Sequence, residues 1–193
     1  MLGSEFEHYC HDVDHFPIEK FLQQGTGRGR SVLIVGESPA KNGWRLSKRA
    51  FYTLDHRPIP SGKNLNELLV RCGLNIDICS FTELVKCYIG NDRMQFWECG
   101  DRCWNIFEKQ LNANDFRIIL TLGVRTLALI NKKLNSSFQV GTISEAQLAG
   151  RQYQLVPIYH PSPANPHNHQ RNLDLFKKFS RNLKALLRQN DFR

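Results

Sequence analysis

The segment Ser31–Ala40, SVLIVGESPA, joins an unbroken apolar run to a turn that carries a carboxylate. Val32, Leu33, Ile34 and Val35 follow one another with no polar residue between them. A strand with one wet face would alternate instead, so the run predicts an interior strand of a parallel sheet, covered on both faces and closed by Gly36. Glu37, Ser38, Pro39 and Ala40 then lie beyond the carboxyl end of that strand. In open α/β sheets ligands bind at that edge.

Outward from this segment, FTELVKC (Phe81–Cys87), RIILTL (Arg117–Leu122) and YQLVPIY (Tyr153–Tyr159) are further strand candidates. Asn64–Cys72, Asp101–Leu111 and Val124–Leu134 predict helices between them. A last helix is expected over Arg171–Leu187, where Leu173, Phe176, Leu183 and Leu187 recur at helical spacing. Strands alternating with helices predict an α/β fold with a mostly parallel sheet between helical layers. A chain of 193 residues is the size of one domain, expected to run over 1–193. The glycines of Gly25–Gly29 precede a strand rather than follow one, so they predict a flexible basic turn and not a dinucleotide fingerprint.

No stretch reaches the apolar length of a membrane span, and the polar, acidic start MLGSEFEHYCHDVDH lacks a secretory pattern. The protein is therefore expected inside the cell, away from membranes, with its six cysteines as thiols or metal ligands. Lys and Arg total 26 against 18 acids, a net charge of +8 that suits a polyanionic partner. Two clusters stand out. Arg171, Lys177, Lys178, Arg181, Lys184 and Arg188 crowd the last helix, in part as a solvated face, and Lys41, Arg45, Lys48 and Arg49 follow the first strand.

The last strand leads into His160-Pro161-Ser162-Pro163-Ala164-Asn165, as the first leads into Gly36-Glu37-Ser38-Pro39-Ala40. This pair of strand-end loops, in this order, resembles the paired signatures of the uracil-DNA glycosylase superfamily. The resemblance spans roughly Val32 to Leu187. It implies a three-layer α/β/α sandwich around a four-stranded, mostly parallel sheet, and a monomer that acts on DNA. RAFYTLDHRPIPSGKNLNELL is similar to the family segment in which an aromatic residue stacks on a flipped base, which puts Phe51 at the stacking position. Ser61 and Gly62 fall in the small-residue turn that follows. FTELVKC resembles the base-reading strand of the branch that carries an iron–sulfur cluster. Trp44 is expected to pack on the sheet.

The chemistry implied is hydrolysis of an N-glycosidic bond, which leaves an abasic site and requires no cofactor. Positive charge develops on the sugar and negative charge on the departing base. Glu37 could stabilise the first and align or deprotonate the attacking water, while His160 could donate a hydrogen bond to the second. Phe51, Glu83 and Ser38 are the expected base-binding residues. Gly36, Pro39, Ala40, Ser61, Gly62, Pro161, Ser162, Pro163 and Asn165 are the expected DNA-facing loop positions, where proline fixes φ.

Two features depart from the family pattern. Glu83 occupies the place of a base-reading Asn, and an ionised carboxylate only accepts hydrogen bonds, whereas uracil O4 needs a donor. The cysteines also differ, because Cys10 stands alone where the branch has a Cys-x-x-Cys pair. A cluster would need Cys10, Cys87, Cys99 and Cys103, though Cys103 is also in register with Phe107 and Leu111 as a core residue. Cys72 and Cys79 are expected to be structural.

Two other readings start from the same residues. One is a non-catalytic DNA or damaged-base binder on the same fold. The other is a serine hydrolase using Ser38 and His160, since Gly36–Ala40 nearly matches a nucleophile elbow. Its oxyanion hole would need the N–H of the residue after the serine, and that residue is Pro39.

Overall fold

The structure is a computed structural model that describes residues 18–40, 47–90 and 93–188. Cys10, Lys41, Trp44 and Arg45 lie outside the described residues. Five strands form one sheet: β1 (Val32–Gly36), β2 (Ser80–Glu83), β3 (Ile118–Leu122), β4 (Ser144–Leu148) and β5 (Arg151–Ile158). Their order is β2-β1-β3-β5-β4. The first four in that order are parallel, and β4 pairs antiparallel with β5 at the edge. Four parallel strands were expected, and β4 adds a fifth. Its sequence SEAQL buries only Ala146 and Leu148, so it lacks the apolar run that marks an interior strand.

Among the described residues four α-helices cover the sheet: α1 (Pro60–Val70), α2 (Arg93–Asn112), α3 (Val124–Leu134) and α4 (Pro166–Arg188). Alternation along the central strands sends side chains to opposite faces. Val32, Ile34, Ile118, Leu120, Leu122, Val156 and Ile158 meet Leu65, Leu68 and Leu69 of α1 and Phe176, Phe179, Leu183 and Leu187 of α4. Leu33, Val35, Ile119 and Leu155 meet Phe96, Phe107 and Leu111 of α2 and Leu127, Leu129 and Ile130 of α3. The three layers follow from these two cores. No helix among the described residues is long and apolar enough to cross a membrane.

Gly25–Gly29 is not a loose turn. Gly27–Ser31 is a 3-10 helix, and a Cβ on Gly25 or Gly29 would fall 2.3 Å or 2.5 Å from the Ile78 carbonyl oxygen. Close backbone approach, rather than freedom, is what these glycines provide. The basic residues of α4 are all exposed along one face, and α4 runs away from the carboxyl edge of the sheet. Much of that charge is therefore a solvated face at a distance from the strand ends. Arg171, in the first part of the helix, is the member that lies over a strand-end residue, 5.4 Å from the Tyr159 ring.

Candidate active site

The carboxyl ends of β1, β2, β3 and β5 open on one cavity of about 340 Å³, at the small end of the range for small-molecule sites. Its lining includes Glu37, Ser38 and Ala40 after β1, Glu83 at the end of β2, Leu122 at the end of β3, and His160 after β5. Phe51, Ile59 and Ser61 close it from the segment that leads into α1. Eight of the residues expected at the site from sequence thus converge: Gly36, Glu37, Ser38, Ala40, Phe51, Ser61, Glu83 and His160. Pro39, Gly62, Pro161, Ser162, Pro163 and Asn165 do not line it.

Register explains how Glu83 arrives there. Gly36 and Glu83 are partners at the ends of paired parallel strands, so the two chain ends lie side by side. Phe81 and Glu83, two residues apart, share the face toward α1, and both line the cavity. Glu83 is buried, with 4% of its surface exposed. Beyond Glu83 the chain stays tied to the first loop, because Leu84 and Val85 donate to the carbonyls of Gly36 and Glu37 at 3.0 Å. The buried Lys86 ammonium donates to the Glu83 carbonyl oxygen and, at 2.8 Å, to Thr82 Oγ1 and Gln110 Oε1. The lysine of this strand is thus a brace for the backbone that carries Glu83.

The wall opposite is aromatic. Phe51 packs edge-on against Phe81, with ring centroids 4.8 Å apart. Its backbone has a φ of 67°, a left-handed conformation uncommon for a bulky residue. The backbone of α1 presses against it: a Cβ on Gly62 would lie 2.8 Å from Phe51 Cβ and 2.9 Å from its carbonyl oxygen. Gly62→Ala therefore displaces Phe51, and we expect both a loss of stability of about 1–3 kcal/mol and a weakened aromatic wall. Thermal unfolding with base-release assays would check this; an unchanged melting point would show that the loop yields freely.

His160 is set by its neighbours. Asn172 on α4 clasps the preceding residue, accepting from the Tyr159 N–H at 3.0 Å and donating to its carbonyl at 2.8 Å. Asn64 of α1 donates to the Pro161 carbonyl at 3.0 Å. Gly123, with φ of 95°, lets the end of β3 approach, since a Cβ there would lie 3.3 Å from His160 Cβ. His160 stands exposed at the mouth, yet the walls around its ring hinder solvation enough to push its pKa down. The neutral imidazole is favoured, which keeps an N–H donor without a fixed charge. Ser162 and Asn165 shape the loop that follows. Ser162 Oγ accepts from Ala164 N–H at 3.2 Å, and the Asn165 carbonyl accepts from Asn168 N–H at 3.0 Å as α4 begins.

Glu37 is half-buried. Burial pushes its carboxyl above the usual range, and the Arg125 guanidinium, 3.0 Å from Oε1, opposes that shift. Arg125 on α3 was not identified from sequence. Its signal was available: it lies just past the end of β3, at the same sheet edge as both motifs. Cys87 and Cys103 are buried, and Cys99 lies one helical turn before Cys103 on α2. Among the described residues no three Cys, His, Asp or Glu side chains converge as a metal site. None of these cysteines lines the cavity, so no step of the chemistry is assigned to a cluster.

A carboxylate, an imidazole and an aromatic wall now share one pocket at the strand ends. The model of the uracil DNA glycosylase superfamily matches residues 24–184, which takes in every strand and this whole cavity. The chain belongs to that superfamily. A type-4 uracil-DNA glycosylase of Archaeoglobus fulgidus is 25% identical over 161 residues, covering 79% of this chain and 76% of that protein.

Proposed function

We propose that this protein is a monofunctional DNA glycosylase that hydrolyses the bond between a flipped uracil, or another deaminated or modified base, and its deoxyribose. Catalysis would leave an abasic site, as in base excision repair, and the chain would act as a single-domain monomer. The observation that carries the reading is the convergence of Glu37, His160, Phe51 and Glu83 in one small cavity at the carboxyl edge of the sheet.

A base extruded from the stack enters the cavity and lies against Phe51. Glu37, ionised, holds and polarises the attacking water and opposes the positive charge that grows on the sugar. Neutral His160 donates to the base oxygen as the leaving anion forms. Glu83 reads the edge of the base. Removing one electrostatic contact to developing charge typically costs an enzyme on the order of 3–4 kcal/mol of barrier. A cluster on Cys10, Cys87, Cys99 and Cys103 would be a structural element, since Cys87, Cys99 and Cys103 do not line the cavity.

A serine-hydrolase use of Ser38 is disfavoured because Pro39 has no N–H to give to an oxyanion. The test is a panel of single- and double-stranded oligonucleotides carrying one uracil, hypoxanthine, xanthine or modified cytosine, treated with alkali after incubation. Cleavage at one of these bases supports the enzyme. Tight binding without cleavage at any of them would leave a non-catalytic damaged-base binder. Affinity for undamaged DNA is also expected to fall steeply with salt, by roughly tenfold or more between low and physiological ionic strength, as phosphate contacts release counterions. A flat salt dependence in a fluorescence-anisotropy titration would argue against a DNA substrate.

A further inference from the structure

Arg125 belongs to neither strand-end motif. It arises from the first turn of α3, just past Leu122 and Gly123, and its Nη1 lies 3.0 Å from Glu37 Oε1. The guanidinium is fixed from a second side, with its centre 4.7 Å over the Phe96 ring of α2. Both side chains of the ion pair are partly shielded, with 36% of Arg125 and 30% of Glu37 exposed. We infer that Arg125 is the positioning residue of the reaction, clamping Glu37 Oε1 so that the carboxylate stays ionised and presents Oε2 to the water. This role rests on the glycosylase reading given above.

A carboxyl group at the wall of a partly apolar cavity loses solvation and drifts toward its neutral form, which can neither polarise water nor oppose a sugar cation. A guanidinium, charged at every accessible pH, offsets that drift when it sits at contact distance. Burial does push the Glu37 carboxyl upward, and Arg125 is the group that pulls it back. A planar fork can also stack on an aromatic ring and still donate in its own plane to a carboxylate, which a lysine ammonium does less well. Phe96 thus fixes the plane of Arg125, and Arg125 fixes the orientation of Glu37.

Other ionisable groups share the cavity. Among the described residues these are Glu83 from β2 and His160 from the loop after β5. Glu83 carries no positive charge that could offset the desolvation of Glu37, so the cation from α3 is the group that opposes it. His160, held toward its neutral form, supplies no compensating charge.

The test compares the full-length wild type with Arg125→Ala and Arg125→Lys. Base release is followed across pH, with kcat and KM separated, and the Glu37 carboxylate is titrated by carbon-13 NMR in free protein. In the alanine variant the acid limb of the profile moves to higher pH. Its kcat falls by roughly tenfold or more on the acid side and recovers toward wild type as pH rises, with KM little changed. Lysine restores part of the loss. The titration of Glu37 shifts upward in the alanine variant without any substrate present. A uniform loss at every pH, a change confined to KM, or an unmoved Glu37 titration in a folded alanine variant overturns the inference. The titration also separates the two ideas. A wild type that releases no base while Glu37 shifts as expected removes the glycosylase reading and keeps the clamp.

Discussion

Glu37→Gln lowers base release by at least about a hundredfold while the protein stays folded. The amide preserves size and can still touch a water, but it carries no negative charge to set against a cationic sugar and is no base. A loss of one such contact corresponds to roughly 3–4 kcal/mol of barrier. The pH profile sharpens the expectation. Burial holds the Glu37 carboxyl above its ordinary value despite Arg125. Wild-type activity should therefore rise with pH as Glu37 ionises, and that limb should vanish in the glutamine variant. No matching loss is expected toward higher pH from His160, because its pKa is displaced downward and the neutral donor persists. His160→Ala should cost a comparable factor in kcat, through the leaving base. Single-turnover kinetics at several pH values measure both. Near-wild-type rates for the two variants would remove the mechanism.

Glu83→Asn should change which base is accepted, by about ten- to a hundredfold in relative kcat/KM, in favour of uracil. Glu83 lies at the cavity wall, on the same strand face as Phe81. An ionised carboxylate facing uracil O4 sets acceptor against acceptor, at a cost on the order of 1–3 kcal/mol. An asparagine amide donates to O4 and accepts from N3–H, and so matches uracil on both counts. A base that presents an amino group would lose by the same exchange. Competition between two labelled oligonucleotides measures the ratio directly. An unchanged preference would show that Glu83 does not read the base, whatever its place in the wall. Efficient uracil removal by the wild type would mean that the carboxyl is protonated, turned away or bridged by water, and a fall in activity as pH rises would single out the first case.

The interior of this fold was legible because its strands are so apolar. SVLIV and RIILTL lie within one residue of β1 and β3, and Val124–Leu134 coincides with α3. Edges were less legible. β4 is half polar and gains its place only by pairing with β5, through a tight turn at Ala149 and Gly150 that both adopt positive φ. The start of α2 was missed because Phe96 and Trp97 lie in a polar setting, MQFWECG, whose apolar positions make sense only against the sheet. α4 begins at Pro166 rather than near Arg171, although Asn165 followed by proline is itself a helix-start signal. FTELVKC reads as one strand, yet pairing ends at Glu83, where the chain turns: Leu84 and Val85 then bond to the first loop, and Lys86 folds back on the Glu83 carbonyl. Of the candidate site, the residues within the two motifs were visible. Arg125 was passed over, because the third strand end it follows bears no motif and only its place at that edge could have marked it.

Glu37 and His160 are expected to break a glycosidic bond and nothing else in the DNA. Mass spectrometry of the reaction with a short oligonucleotide carrying one uracil or other modified base measures this most directly. Free base is expected in solution, with a strand whose intact mass equals the substrate less that base with one water gained. Glu37→Gln is expected to suppress both signals together. A strand of unchanged mass for every base tested, a broken phosphodiester without released base, or equal base release by Glu37→Gln would contradict this mechanism.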